Sequence, residues 1–344
     1  MKNPKRATIH DIARKLNIAA SSVSRALNNS SKVSEKTKAL ILQTAKELNY
    51  KQNYLASNLR KGDNQTIGVV VPRINQNFFS NVIAGLEEVT YKNGYNLVIC
   101  QSNELHEREV QCVETLINQH VSCIVISISA EHHNSDHLKN ALSQGIQMIQ
   151  FDRVALELET YKVINDNELA AAEAVSHMIN QGYKRIALLE GPQNLAIFRQ
   201  RKAGYLRAME QHKVPLVEEL IIKNAWTKEL GAKATRKLLG MSTPPDAVFA
   251  STSDFSALGV LEVANNMGFK VPEALGICGY SNEAFSEITT PSITTIDQYS
   301  KRMGKTIADL YFKEVKEASV NNVHKTISIK PKLIIRSSTQ KRAI

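Results

Sequence analysis

From Thr66 onward the sequence alternates between short, continuously apolar runs and longer runs with helical spacing. "TIGVVVP" precedes "FSNVIAGLEEVTYKNG", "NLVICQS" precedes "REVQCVETLINQ", "SCIVISIS" precedes "HLKNALSQG", and "IQMIQFDR" closes a first series. The pattern restarts through "AAAEAVSHMINQG", "RIALLEG", "RKAGYLRAMEQH", "LIIKNA", "GAKATRKLLG", "AVFAST", "ALGVLEVANNMG" and "LGICGY". Strands that are apolar on both sides must be covered on both sides, so they pair in parallel with helices above and below. Two such series predict an α/β body of two doubly wound parallel-sheet subdomains. Ligands of these sheets lie at the carboxyl ends of the strands, and a cleft between two halves is a natural site. The last stretches, "TTIDQYSKRMGKTIADLYFKEVKE" and "TISIKPKLIIRSST", read as a helix and strands that cross back between the halves.

The first sixty residues are of another kind. The chain of 344 residues carries a net charge of +10, and all of it lies at this end. Residues 1–62 hold 13 Lys or Arg against 3 Asp or Glu, whereas the remainder is balanced at 30 of each. A basic tail would show no hydrophobic periodicity, but this segment does. In "TIHDIARKLN", Ile9, Ile12, Ala13 and Leu16 share one helical face, with Thr8 and Asp11 forming a capping-box-like start and Asn17 ending the helix. Ile18 opens a short second helix whose buried side is Val23, Ala26 and Leu27. Ser34 caps a third, with Leu40, Ile41, Ala45 and Leu48 facing inward. Helix, tight turn, small-residue helix, turn and third helix make an all-α helix-turn-helix module, and its positive charge fits a nucleic-acid partner. The second helix, "IAASSVSRALN", starts with small residues that let its backbone approach a groove. Its hydroxyls can donate to phosphates, and Arg25 suits the paired acceptors of a guanine edge.

This N-terminal sequence resembles the lactose-repressor family of bacterial transcription regulators, through "TIHDIA", "SSVSRALN", "VSEKT" and "LNYKQN". The resemblance implies a sequence-specific repressor that binds double-stranded DNA at a pseudo-palindromic operator. It puts Ala20, Ser21 and Arg25 at base-reading positions and Ser22, Ser24, Asn28, Tyr50 and Asn53 near phosphates, and Thr8 joins the DNA-contacting set. Where the family often has Ser, this chain has Ala19, which removes a cap worth roughly 1 kcal/mol. "NYLASNLRKG" matches the family's hinge helix, formed on DNA, and Leu59 matches the leucine wedged into the minor groove. A segment this short does not hold a helix alone.

The body resembles the periplasmic sugar-binding-protein type of fold, as the family implies. The expected domains are 1–52, a hinge at 53–63, and a body at 64–340. Within the body, subdomain N is expected at 64–162 plus 292–320 and subdomain C at 163–291 plus 321–340. A sugar-like effector is expected between them. Family positions place Asn77, Phe78, Phe79, Asp152, Arg153, Arg201, Trp226, Ser253, Asp254, Ser281 and Gln298 at the cleft. Phe79 fits either a sugar face or the core. Asp152 and Arg153 fit either vicinal hydroxyls or a surface ion pair, and Trp226 either a platform for a pyranose ring or simple packing. Two positions depart from the family: Ser253 replaces Asn, and Ser281 replaces an acid that binds hydroxyls. With Arg73, Arg153, Arg199 and Arg201 near the cleft, loss of that acid favours an acidic sugar.

Other signals lead to no chemistry. "EHHNSDHLKN" sets His133 and His137 four apart beside Glu131 and His132, but its polarity and the lack of HExxH read as a solvated helix start without metal. No phosphate-binding glycine motif occurs, and "GYSNE" lacks the last Gly of a nucleophile elbow, so neither a cofactor nor an enzyme is expected. Cys100, Cys112, Cys123 and Cys278 form no CxxC and read as reduced, buried thiols. No run of about 18 apolar residues and no secretory signal occurs, so the expected location is cytoplasmic. The absence of a leucine heptad after Ser338 favours a homodimer over a tetramer. A pure solute-binding protein would suit the body but not the basic module, and an enzyme on this scaffold is the third possibility.

Overall fold

The computed structural model describes residues 7–27, 30, 32–50, 64–317 and 324–341. The chain forms two units, Met1–Asn64 and Gln65–Ile344. In the first, α1 (Ile9–Leu16), α2 (Ala20–Leu27) and α3 (Glu35–Glu47) follow one another. The Thr8 N–H and hydroxyl both donate to Asp11 Oδ2, at 2.8 and 2.7 Å, and so close the start of α1. Asn17 ends α1 in the left-handed region at φ 51°. Ser34 Oγ accepts the Thr37 N–H at the start of α3. Ile12, Ala13, Val23, Ala26, Ile41 and Ala45 form the buried core, with Leu16, Leu27, Leu48 and Tyr50 packed around it. Leu40 departs from the sequence expectation and is 52% exposed. The inward stripe of α3 is Ile41, Ala45 and Leu48, spaced four and three apart, and Leu40 sits a quarter-turn off it.

The second unit begins with β1 (Thr66–Val71), α4 (Asn77–Lys92), β2 (Asn96–Gln101), α5 (His106–Asn118), β3 (Cys123–Ile126), α6 (Asp136–Ser143), β4 (Gln147–Phe151) and β5 (Tyr161–Asn165). It continues through α7 (Asn167–Asn180), β6 (Ile186–Leu189), α8 (Ala196–Gln211), β7 (Ile221–Ile222), α9 (Lys228–Leu239), β8 (Ala247–Ala250), α10 (Asp254–Asn266), β9 (Gly276–Cys278), α11 (Phe285–Ile288) and β10 (Thr295–Asp297). It ends with α12 (Ser300–Leu310), β11 (Thr326–Ile329) and β12 (Lys332–Ile334). One parallel sheet has the order β11-β5-β4-β3-β1-β2 and a second the order β7-β6-β8-β9, while β10 and β12 pair antiparallel.

Both sheets are covered on both faces, as continuous apolar strands require. In β1, Ile67, Val69 and Val71 pack with Val82 and Leu86 of α4 and Met303 and Ile307 of α12. Val70 points the other way, toward Val113 and Leu116 of α5 and Leu138 of α6. Each such buried side chain contributes about 1.5–3 kcal/mol. α4 and α12 approach so closely that a Cβ on Gly304 would stand 2.0 Å from the Val82 carbonyl oxygen. In the second sheet, Leu189, Val248 and Ile277 face α9 and α10, whereas Leu188, Phe249 and Cys278 face α7 and α8.

The chain passes between the halves after β5, after β10 and after β11. Asn165 joins these crossings: its Nδ2 donates to the carbonyls of Gln298 and Ile329, at 3.1 and 3.3 Å. The expected subdomain boundaries shift accordingly. "YKVIN" is a full strand of the first sheet, so the first crossing falls after Asn165 rather than before residue 163. β10 lies with the second half, where Gly279 and Ser281 donate to Thr294 and Ile296, so the second crossing falls near 298 rather than 292. β11 pairs with β5 in the first sheet, so the third falls near 330 rather than 321. The expected hinge, 53–63, lies outside the described residues. The four thiols are free, with Cys123 and Cys278 buried. Cys100 and Cys112 are only half-buried, on the edge strand β2 and on α5. Among the described residues no helix is long and apolar enough to cross a membrane.

Candidate functional site

In the first unit, α2 turns Val23 and Ala26 inward and leaves Ser21 and Arg25, one helical turn apart, exposed on the opposite side. Arg25 has no ion pair or hydrogen bond from its side chain among the described residues. Ala20 is half-buried and packs against the core, so only part of it faces outward. Ser22 and Ser24 are half-buried, as is Tyr50, whose N–H donates to the Ala45 carbonyl. Thr8 is exposed, but its hydroxyl is engaged with Asp11. Asn28, Asn53 and Leu59 lie outside the described residues.

In the second unit, segments at the carboxyl ends of β1, β4, β6, β8 and β9 surround a cavity of about 600 Å³ between the two halves. Of the expected residues, Phe78, Phe79, Asp152, Arg153, Arg201, Trp226, Ser253, Ser281 and Gln298 line it. Phe79 belongs to the core as well, stacked edge-on against Phe78 with ring centroids 5.1 Å apart. Asn77 and Asp254 do not line the cavity, which corrects the expectation. Asp254 is fully buried, where its Oδ2 accepts the Glu283 N–H at 2.7 Å and its Oδ1 the Thr295 hydroxyl at 2.6 Å. A Cβ on Gly279 would stand 2.1 Å from that Oδ1, so the turn after β9 closes on Asp254 only because residue 279 is glycine. Burial raises the Asp254 carboxyl to about 6.

Asp152 and Arg153 are buried and do not form the surface pair that was the alternative. Arg153 Nη1 lies 2.6 Å from Glu104 Oε2, which also accepts the Ala130 N–H. Asp152 sits at φ 54°, and its buried Oδ1 has no hydrogen-bond partner in the protein. Burial pushes its carboxyl up, against the pull of the Arg153 and Arg201 charges. Arg201 donates from Nε to Asn167 Oδ1 and from Nη1 to the carbonyls of Ser251 and Thr252, with its guanidinium 3.6 Å from the Tyr280 ring centroid. It thus ties the loop after β8 to α7 and α8. Arg199, expected near the cleft, does not line it and donates to the carbonyls of Gln193 and Asn194.

Ser253 caps α10 through the Ser256 N–H. Its hydroxyl donates to the carbonyl of Trp226, which is half-buried in the cavity wall. Ser281 is held at φ 109°, a conformation costing roughly 1–3 kcal/mol for a residue with a Cβ. Gln298 lies at a crossing, with its amide 3.4 Å from Asn165 Oδ1.

Sequence reading missed Phe198, Phe255, Lys228, Glu229 and Glu283 in the lining. Each follows a strand within a short loop or the next helical turn, so the strand-end rule pointed to these segments without choosing side chains. Glu283 matters most, because it restores a cavity acid two residues after the one lost at Ser281. Burial, then the Asp254 charge, raises it to about 7, opposed by a hydrogen bond from Asn77. In the fold the protonated form is therefore favoured. Its contribution to stability is present at low pH and is lost as pH rises from the usual glutamate range to about 7. A ligand donating to this carboxylate should bind more tightly as pH is raised through about 7. The Glu283→Gln variant should flatten that profile, measured by calorimetry across pH.

A three-helix module with an exposed arginine, together with a two-lobed body around a polar and aromatic cleft, defines a ligand-binding regulator of DNA. Residues 8–53 match the bacterial regulatory proteins of the lacI family, and residues 175–339 match a periplasmic binding protein-like domain. The HTH-type transcriptional repressor CytR of Escherichia coli is 31% identical over 336 residues, covering 97% of this chain and 96% of that protein. The lac repressor dimer bound to operator and the anti-inducer ONPF superposes with a TM-score of 0.84 at 22% identity, over 98% of this chain and 100% of that one. The CelR–cellobiose complex gives a TM-score of 0.71 at 25% identity, over 97% and 100%. The chain belongs to the lacI family of bacterial regulatory proteins. It is a DNA-binding transcriptional repressor under the control of a small-molecule effector.

Proposed function

We propose that α2 lies in the major groove of a pseudo-palindromic operator, with Ala20, Ser21 and Arg25 toward base edges and Ser22, Ser24 and Tyr50 toward phosphates. Asn28 and Asn53 would extend the phosphate contacts, and Leu59 would enter the minor groove at the operator centre. Two copies of the chain form the reading unit, as in the lac repressor dimer on its operator. The exposed Arg25, with no side-chain partner among the described residues, supports this reading. Arg25→Ala should cost about 1–3 kcal/mol and relax one base position, read by fluorescence anisotropy on an operator and its single-base variants. A uniform loss on all sequences would make Arg25 a phosphate contact.

The effector is a sugar bound in the cleft, and the observation that carries this is the buried, unpartnered Asp152 Oδ1 among aromatic walls. An acceptor removed from water is costly to leave without a donor, and a sugar hydroxyl supplies one. The rings of Phe78 and Trp226 offer faces to the apolar side of a pyranose. Between acidic and neutral sugars, we favour a neutral one. Arg153 is paired with Glu104, Arg201 is largely spent on protein acceptors, and Glu229 adds a negative charge to the lining. Calorimetric titration with neutral and acidic sugars tests this, and binding of acidic sugars alone would reverse the choice. The cleft is assigned no catalytic step and no cofactor, and the protein is placed in the cytoplasm with its DNA.

A further inference from the structure

Four histidines and one carboxylate meet beside the loop that supports Arg153, away from the cleft. His106 and Glu109 lie one turn apart at the start of α5, His132 and His133 come from the loop after β3, and His137 is the second residue of α6. The solvated helix start expected from sequence is not what forms. α6 begins only at Asp136, and His137 is buried, 7% exposed.

Glu109 is completely buried. Its Oε1 faces both His132 Nδ1 and His137 Nε2 at 2.8 Å, and its Oε2 accepts the Ser129 N–H. His132 is oriented from behind, since its Nε2 is 3.1 Å from Ser135 Oγ, which in turn donates to Glu157. His106 is 8% exposed, and its buried Nδ1 has no hydrogen-bond partner, as is also true of His137 Nδ1. One nitrogen of His106, one of His132 and an oxygen of Glu109 all lie within 4.8 Å of one another. Ligand atoms about 2.0–2.1 Å from a tetrahedral zinc ion stand about 3.4 Å apart, so small side-chain rotations bring this set to bonding geometry.

We propose that His106, Glu109, His132 and His137 form a site for a divalent cation of the zinc class. Three imidazoles and one carboxylate suit zinc, cobalt or nickel, and not the oxygen-seeking magnesium or calcium. A bound ion replaces the protons now shared between Glu109 and the rings, and locks the loop after β3. That loop also bears the Ile128 N–H donated to the Arg153 carbonyl and the Ala130 N–H donated to Glu104.

The test uses untagged full-length protein, stripped with a chelator, titrated with Zn²⁺ alone by calorimetry and with Co²⁺ by visible absorption. The expected result is one ion per chain, a tetrahedral cobalt spectrum and a raised Tm. His106→Gln and His132→Gln should each weaken Zn²⁺ binding by at least about tenfold with unchanged far-ultraviolet circular dichroism. His212→Gln, exposed on another face, should bind as the unmodified chain does. Lack of saturable Zn²⁺ binding by the unmodified chain overturns the proposal, as does undiminished affinity in both cluster variants. Should both variants unfold, the cobalt spectrum of the unmodified chain decides, and a six-coordinate spectrum overturns the site.

Discussion

Operator affinity is expected to fall by roughly 10³- to 10⁵-fold between about 50 and about 200 mM salt, for about six to ten phosphates neutralised across a dimer. The reason is the placement of charge. The whole excess of +10 lies in residues 1–62, so two copies bring two concentrated basic modules to one duplex. Counterions released from the phosphates then dominate the binding free energy. Effector affinity should hardly respond to the same change, because the rest of the chain balances 30 basic against 30 acidic residues and the cleft is sheltered. Anisotropy titrations at several salt concentrations give the slope for DNA, and calorimetry gives the sugar control. A flat DNA slope would remove phosphate neutralisation as the source of affinity.

Glu104→Gln is expected to cost about 3–5 kcal/mol of stability, measured by denaturant unfolding. Glu104 and Arg153 are both more than nine-tenths buried, and their 2.6 Å contact is the only ion pair Arg153 makes among the described residues. The amide leaves the guanidinium buried with weaker compensation. Glu104 also accepts the Ala130 N–H, so the loop after β3 loosens too. The double variant Glu104→Gln/Arg153→Met should recover much of the loss, since it removes the buried charge that the single variant leaves uncompensated. A single-variant loss under about 1 kcal/mol would mean that the pair behaves like one at the surface.

The cleft was legible to the level of segments. Continuous apolar strands predicted the parallel sheets and the strand-end rule the segments, while family positions supplied the nine expected side chains that line one cavity. The family positions failed for Asp254, which follows β8 but turns inward to hold the backbone of Glu283 and the hydroxyl of Thr295. They also failed to weigh Glu283, because a position two residues beyond the family's acid carries no periodic signal. The histidines show the same limit. Their spacing along the chain suggested a solvated helix, whereas the contact that gathers them is Glu109, 23 residues before His132 and 28 before His137.

The sequence by itself determined what is local or periodic. That includes the capped α1, the small-residue α2 with Arg25 outward, the alternating strands and helices, and the separation of a basic module from a neutral body. These follow from helix geometry, strand periodicity and charge, each readable within a few residues. Only the tertiary structure decided where the crossings fall, which arginines are already paired, and which carboxyl groups face the cavity. Those depend on contacts between residues far apart in sequence, such as Arg153 with Glu104 and Asn165 with Gln298 and Ile329. A buried polar group takes its partner from whatever the packing brings near, and no local pattern encodes that choice.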